Sequence, residues 1–168
     1  RMRKGRKTVV GHWQDPKTLE HIAVWQRVAA AWADSQDMRI LRFGDQMNNV
    51  AVTDGDKVEA EMRFGYHVDY VPFSTVMTYF EKVEDKAVDE LVEVYFKEYD
   101  HAPELEDKNT VEYKKVWNSA KAELTLRAVL EAYGAKAFTS NFDDLGDVNV
   151  EETGKGFDQI PGLASQRL

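Results

Sequence analysis

Residues 38–71 read MRILRFGDQMNNVAVTDGDKVEAEMRFGYHVDYV, and this stretch decides the fold. Apolar side chains alternate over 39–43 as they do in a strand, and Gly44 ends the pattern. A second alternating run at 66–70 stops before Pro72, which cannot continue a strand ladder. The stretch therefore predicts two strands that are joined by a polar loop and a short helix.

The connection between these strands carries its own start and stop signals. Residues 53–56, Thr-Asp-Gly-Asp, have the composition of a turn that caps the next helix. Val58 and Met62 lie one helical turn apart, so we expect both to face the sheet. Gly65 is placed to end the helix in a left-handed conformation.

The polar loop after the first strand is a candidate site. Asp45, Met47 and the Asn48–Asn49 pair lie at the carboxyl end of that strand. In open α/β sheets, ligands bind outside the carboxyl ends of the strands. We therefore expect this loop to line a binding site.

The segment before residue 38 predicts one strand and one helix. Residues 8–11 are β-rich and predict a short strand. Asp15 followed by Pro16 is a strong helix start, because aspartate caps the first turn and proline fits the first helical position. The polar residues 34–37 then predict a linker, and we place a domain boundary there.

The helix that starts at Asp15 is apolar on two sides. Trp25, Val28 and Trp32 form a strip beside its main apolar face. Burial within the same domain and burial at an interface are both compatible with this pattern. We expect the strip to contact a neighbouring domain or another subunit in the intact protein.

The remainder of the chain alternates helices with one further strand. Helical spacing covers residues 73–83, 85–99 and 109–133. A buried strand follows at 137–142, and after an acidic loop a last helix starts at Pro161. Strands that alternate with helices favour an α/β architecture with a mostly parallel sheet.

Size and composition exclude several classes of protein. The chain has 168 residues, 43% of them hydrophobic, which is enough for a real core. Its net charge of −8 argues against a general nucleic-acid binder, and no apolar run is long enough to span a bilayer. It contains no cysteine, which excludes disulfides and thiolate metal sites.

Common catalytic and cofactor motifs are absent from the sequence. There is no glycine-rich dinucleotide or nucleoside-triphosphate motif and no H-E-x-x-H. The four histidines are scattered, and none has a partner at metal-ligand spacing. The acidic stretch 143–151 lacks the spacing of a calcium loop and predicts a solvated loop. The remaining candidates follow two strands: Arg42, Asp45 and Met47, and Phe142, Asp143 and Asp144.

A long motif within the first stretch resembles a known family. Arg42 to Ala60 reads R-F-G-D-x-M-x-x-V-A-V-T-x-G-D-K-V-E-A, which is similar to the central segment of the bacterial L-arabinose isomerase family. Further blocks agree in order: 9–15, 137–139, Phe142 with Asp144 and Leu145, and 160–168. The resemblance implies a three-layer α/β fold of Rossmann-like or flavodoxin-like type.

The resemblance also implies an activity and a site. The family comprises Mn²⁺-dependent isomerases that convert L-arabinose to L-ribulose, and D-galactose to D-tagatose less well. It implies that Met47 and Phe142 line the sugar pocket, where apolar side chains pack against the carbon face of a sugar. The metal-ligand blocks of the family lie outside this chain. We therefore assign no metal ligand and no catalytic residue here, and expect the segment alone to bind no Mn²⁺ tightly and to be inactive.

The resemblance further implies how the chain is organised. Residues 1–37 correspond to the C-terminal βα part of an N-terminal domain, and 38–168 to a central α/β domain that is truncated at its C-terminal end. The intact protein is expected to be a cytoplasmic homo-oligomer that acts on an aldose or ketose sugar, with no nucleic-acid or membrane partner. The alternative is a free-standing α/β module that binds a sugar or an effector.

Overall fold

A computed structural model describes residues 7–141, 143, 157 and 161–168 of the chain. Its helices and strands are α1 Pro16–Ser35, β1 Arg39–Phe43, α2 Lys57–Phe64, β2 His67–Val71, α3 Phe73–Phe80, α4 Asp85–Glu98, α5 Val111–Tyr133, β3 Ala137–Ser140 and α6 Gly162–Arg167. Short 3₁₀ turns cover Ala51–Thr53 and Pro103–Glu106.

The sheet confirms the predicted α/β class. Within the described residues it has three parallel strands in the order β2–β1–β3. Phe43 of the central strand lies opposite Val71 on one side and Ser140 on the other, so the carboxyl ends of all three strands meet at one edge. Doubly wound sheets of the flavodoxin type begin with the same order. The fold is a three-layer α/β arrangement.

One face of the sheet carries the main core. Leu41, Phe43 and Val71 point from β1 and β2 toward α3 and α5 and are at most 1% exposed. Burial of this apolar surface is the main favourable term for the fold. The cluster comprises Leu41, Phe43, Val71, Phe73, Val76, Ala122, Leu126, Val129, Phe157 and Ala164.

A second cluster lies between α4 and α5. It buries Val88, Val92 and Tyr95 of α4 against Tyr113 and Ala120 of α5. The long helix α5 therefore serves both clusters, with the sheet on one side and α4 on the other. Its apolar positions go around much of its circumference for this reason.

A buried acid ties three helices together. Glu123 of α5 is 1% exposed and accepts hydrogen bonds from Tyr95 Oη at 2.6 Å, Arg127 Nη2 at 2.7 Å and Arg167 Nε at 3.1 Å. Burial and the bond to Glu123 raise the pKa of Tyr95 above its usual value. The guanidinium of Arg167 also lies over the rings of Tyr95 and Tyr99. The short α6 is thus held by charge as well as by packing.

Two predictions about individual elements are wrong. Residues 8–11 form no strand: they are mostly exposed and have no regular structure. A strand needs a partner for its backbone groups, and no described strand lies beside this segment. Val58 and Met62 do not face the sheet, since they are 67% and 77% exposed. The inward position of the eight-residue α2 is the small Ala60, which lies about 200° around the helix from each of them.

The first helix starts as predicted and leaves its apolar strip open. Asp15 caps it by accepting from the backbone N–H of Lys17 at 3.3 Å. Trp25 and Trp32 are 48% and 54% exposed, and Val28 is similar. That this strip contacts a neighbouring domain or subunit stays a prediction.

The predicted linker is anchored to the central unit. Ser35 Oγ and Gln36 Nε2 both donate to the carbonyl oxygen of Phe64, at 3.1 and 2.9 Å. The N–H of Asp37 donates to Gly65 O at 2.9 Å. Gly65 adopts φ +82°, a left-handed conformation that favours glycine, and a Cβ there would displace the end of the Gln36 side chain.

The loop after α4 contains a histidine with two acceptors. His101 Nδ1 lies 3.0 Å from Tyr99 O and Nε2 lies 2.9 Å from Glu106 Oε1, and the ring packs against that of Phe96 at an interplanar angle of 31°. Only the imidazolium has N–H groups on both nitrogens. The bond to Tyr99 O, and then that to Glu106, raise the pKa of His101 above its usual 6.5.

Because the folded pKa is raised, the stabilising effect of His101 should be complete below about pH 6.5 and should fade as the pH rises through the folded pKa. An NMR titration of the native protein should give His101 a pKa above that of a free histidine. Glu106→Gln should lower this pKa. An unchanged value in that variant would remove Glu106 as a cause of the raised pKa.

Candidate functional site

A cleft opens at the carboxyl ends of β1 and β3, on the face of the sheet opposite the main core. The connection after β1 runs through α2, and the connection from β2 to β3 runs through α3 to α5 on the core face. The two connections leave a crevice between β1 and β3, the usual ligand site of such sheets. Its volume is about 330 Å³, and its lining is Arg42, Phe43, Asp45, Gln46, Met47, Thr53, Asp54, Gly55, Asp56, Lys57, Ala60, Tyr66, Val68, Thr139, Ser140 and Asn141.

The loop that forms one wall of the cleft begins at a glycine. Gly44 is buried and has φ +74°, a left-handed conformation that side-chain-bearing residues rarely adopt. Its N–H donates to Val71 O at 3.0 Å, which ties the end of β1 to the end of β2. The chain therefore leaves β1 in a fixed direction and enters the polar loop.

Arg42 organises the two ends of this loop. Its side chain is 9% exposed. Nη2 lies 3.2 Å from Asp45 Oδ1 and 3.3 Å from Gln46 Oε1, and Nη1 lies 3.3 Å from Asp54 O and 3.5 Å from Asp54 Oδ1. A cation with so little exposure needs such partners, because burial removes it from water.

The interior of the loop is held by its own hydrogen bonds. The N–H of Met47 donates to Thr53 Oγ1 at 3.0 Å, and this hydroxyl donates to Val50 O at 2.7 Å. Gln46 N donates to Asp45 Oδ1 at 2.9 Å. Thr53 thus closes the loop around Met47, and the 3₁₀ turn Ala51–Thr53 completes it.

The loop is also joined to the end of β3. Asn141 Nδ2 donates to Asp45 O, and the N–H of Asn48 donates to Asp143 Oδ2 at 3.2 Å. The ends of two neighbouring strands, about 95 residues apart in sequence, therefore form one structure. This contact brings the two groups of sequence candidates together.

The structure places the predicted residues as follows. Met47 is half-buried and lines the cleft, and Arg42 and Asp45 line it too. Phe142 and Asp144 lie outside the described residues, although Asn141 and Asp143 on either side of Phe142 lie at this site. Whether Met47 and Phe142 bind substrate stays a prediction.

Sequence reasoning missed several residues of the cleft. Thr139 and Ser140 at the end of β3, Lys57 at the start of α2, and Tyr66 before β2 all line it. Thr139 and Ser140 could have been found from the rule that the carboxyl ends of parallel strands meet at one edge, had the order of the strands been known. Lys57 starts α2 and Tyr66 precedes the amino end of β2, so this rule does not find them. The rule gives no contacts until that order is fixed.

The lining combines polar side chains with apolar surfaces. Hydroxyls from Thr53, Thr139 and Ser140 stand beside the apolar surfaces of Met47 and Tyr66. Such a mixture binds the hydroxyls of a ligand through polar groups and its carbon face through apolar ones. Within the described residues, no group of three or more His, Asp or Glu side chains could hold a metal ion.

No helix of the described part of the chain combines the length and the apolar character needed to cross a bilayer.

Fold and cleft define an α/β sheet domain with a cleft at the switch point of its strand order, the place where sheets of this class bind their ligands. Sequence comparison places it further. A family profile of the L-arabinose isomerase central domain matches residues 39–168, and a profile of the L-arabinose isomerase N-terminal domain matches residues 1–37. The chain belongs to the L-arabinose isomerase family.

Curated relatives agree over the whole chain. It is 66% identical over 168 residues to proteins named L-arabinose isomerase from Phocaeicola vulgatus and Bacteroides thetaiotaomicron, and 42% identical to one from Flavobacterium johnsoniae. In each case the match covers 100% of this chain and 32% of the relative. The chain thus spans about a third of the length of these relatives.

Proposed function

We propose that this chain is a segment of an L-arabinose isomerase, an enzyme that converts L-arabinose to L-ribulose and D-galactose to D-tagatose. The observation that carries the proposal is the match of two consecutive domain profiles of that enzyme to residues 1–37 and 39–168. The mixed polar and apolar cleft at the ends of β1 and β3 supports it, because a sugar presents hydroxyls and a carbon face to such a surface.

In this proposal the segment supplies wall and shape to the sugar pocket. Met47 contributes an apolar contact from the loop after β1, and Phe142 a second one after β3. Proton transfer between the first two sugar carbons belongs to other parts of the intact enzyme, as does the Mn²⁺ site. The support for this division is that the described residues hold no candidate metal cluster.

The proposed setting follows from the same family. The intact enzyme is a homo-oligomer in the cytoplasm, with an aldose or ketose sugar as its partner. The exposed Trp25 and Trp32 strip of α1 supports further contacts in the intact protein, since large apolar patches on a surface mark interaction sites. The net charge of −8 gives no support for a nucleic-acid partner.

The isolated chain is expected neither to isomerise L-arabinose nor to bind Mn²⁺ tightly. Calorimetric titration with Mn²⁺ and a colorimetric ketose assay would test this, with the intact enzyme as the positive control. One-to-one binding to the chain, or ketose above background, would contradict the proposed division of labour. Absence of ketose with the intact enzyme would contradict the proposed activity itself.

In the intact enzyme, Phe142→Ala should widen the pocket and so cost the smaller pentose more than the hexose. A wall that changes by a few carbons shifts discrimination by roughly 1–3 kcal/mol, or about 10–200-fold in the ratio of kcat/KM values. Metal affinity should stay nearly unchanged, because a phenylalanine cannot ligate Mn²⁺. Steady-state kinetics on both sugars, with metal titration alongside, would decide. An unchanged arabinose-to-galactose ratio would place Phe142 in the core instead.

A further inference from the structure

We propose that Arg42 is a positioning residue for the sugar site, and that it acts by holding the loop 45–54 so that Met47 forms a fixed wall. The proposal rests on the proposed function, because it assigns Arg42 to the pocket of that enzyme. It assigns Arg42 no contact with the sugar. The observation behind it is one guanidinium that bonds both ends of the loop.

The side chain of Arg42 is nearly buried. Only 9% of its side chain is exposed, whereas Asp45 and Asp54, its two ionic partners, are 73% and 64% exposed. The cation is thus held against the sheet, and its two ionic partners lie on the exposed loop. Hydrogen bonds to charged groups are about twice as strong as neutral ones, so the loop gains more from Arg42 than from an uncharged donor.

The two terminal nitrogens of the Arg42 guanidinium form a fork. Nη2 donates to Asp45 and Gln46 at the start of the loop, and Nη1 donates to Asp54 at its end. A planar guanidinium presents donors in fixed directions, so it sets the separation of the loop ends. A lysine ammonium in the same place is a single compact charge and cannot span both ends.

Met47 lies between the two ends of the loop 45–54. Its N–H donates to Thr53 Oγ1, and Thr53 is followed directly by Asp54. A displacement of Asp54 would therefore carry Thr53 away from Met47. Arg42 is therefore connected to Met47 through the adjacent residues Thr53 and Asp54.

The positioning role of Arg42 is separate from the stability of the core. Leu41 and Phe43 point from β1 into the main cluster, and Arg42 points to the opposite face, toward the cleft. Loss of the Arg42 fork therefore opens no cavity in that cluster. The expected consequence is a looser loop on an intact sheet.

The experiment compares Arg42→Lys with Arg39→Lys in the intact enzyme. Arg39 lies on the same strand, but its side chain is 53% exposed and its ion pair within the described part of the chain is with Asp69, at 3.6 Å. Arg42→Lys should raise KM for L-arabinose by about tenfold and leave kcat within about twofold, because a fixed wall contributes equally to substrate and transition-state binding. Arg39→Lys should leave both constants near the wild-type values.

Hydrogen exchange measured by mass spectrometry gives a readout that does not depend on activity. The amides of Gln46, Met47 and Thr53 are hydrogen-bonded within the loop. In Arg42→Lys they should exchange on the order of tenfold faster, while peptides from α5 stay unchanged. Asp54→Asn removes the charge of one exposed partner of Arg42. It should raise the exchange rate and KM as Arg42→Lys does, but by less. It replaces Arg42→Lys in the test if that variant fails to fold.

Three outcomes would overturn the role of Arg42: unchanged loop exchange in Arg42→Lys and Asp54→Asn, KM values that match those of Arg39→Lys, or a fall in kcat alone. The last would indicate a general loss of active protein. Absence of isomerase activity in the wild-type enzyme would instead overturn the proposed function, and the exchange data would still show whether Arg42 holds the loop.

Discussion

Replacement of Glu123 by alanine is expected to lower the free energy of unfolding of this chain by about 3–5 kcal/mol. The carboxylate is 1% exposed and accepts from Tyr95, Arg127 and Arg167. Its removal leaves Arg167, whose side chain is only 14% exposed, without its buried counter-charge. It also removes one of the links between α6 and the helices α4 and α5, while Arg167 keeps its ion pair with Glu98. Urea unfolding followed by circular dichroism would measure the loss.

Glu131→Ala is the matched control for this prediction. Glu131 lies on the same helix α5 and is exposed, so its loss should change the unfolding free energy by no more than about 0.5 kcal/mol. Tyr95→Phe should cost about 1–2 kcal/mol, since it removes one donor and keeps both arginines. A loss below about 1 kcal/mol for Glu123→Ala would show that the cluster is better solvated than its burial indicates.

Replacement of Phe43 by alanine should cost about 3–5 kcal/mol, the usual range for an aromatic residue in a core. Phe43 is 1% exposed at the end of the central strand, and its ring lies 5.5 Å from that of Phe138 on β3. The cavity would therefore open between β1 and β3, directly beneath the cleft. Thermal and urea unfolding of wild type and variant would test the magnitude.

Phe64→Ala provides the comparison. Phe64 is 47% exposed and stacks on Tyr66, with ring centroids 5.7 Å apart. Its loss should cost about 0.5–1.5 kcal/mol, the range for one aromatic pair. Equal losses in the free energy of unfolding for Phe43→Ala and Phe64→Ala would mean that the cluster around Leu41 and Phe43 is not the main source of the stability of the sheet.

Local signals in the sequence predicted most of the elements. Asp15 and Pro16 start α1, Gly65 ends α2, and Gly134 ends α5 with φ +60°. The strand at 39–43 was predicted within its observed bounds. These elements could be predicted because caps, left-handed glycines and alternation act within a few residues.

The failures concern residues whose state depends on distant partners. Residues 8–11 have strand composition but no neighbouring strand, and composition alone cannot supply one. Val58 and Met62 have helical spacing but face away from the sheet. Periodicity identifies an apolar face and does not say what covers it.

The candidate site also has features that local sequence predicts and features that depend on distant partners. Met47 could be placed at a strand end from the sequence, and the structure puts it in the wall of the cleft. The bond between Asn48 and Asp143, and the position of Thr139 beside Arg42, depend on β1 and β3 being neighbours. The sequence predicted both strands but not their adjacency.

By itself, the sequence determined the family, the class of fold and the strand–loop–helix–strand unit at 38–71, because these depend on local patterns and on a long motif. The tertiary structure alone decided that the strand order is β2–β1–β3, that Arg42 bonds both ends of the loop, and that Glu123 is buried among two arginines and a tyrosine. These features join residues far apart in the chain. Their physical cause is the packing of α5 across the sheet, which brings the segment after residue 137 beside β1 and so completes the cleft.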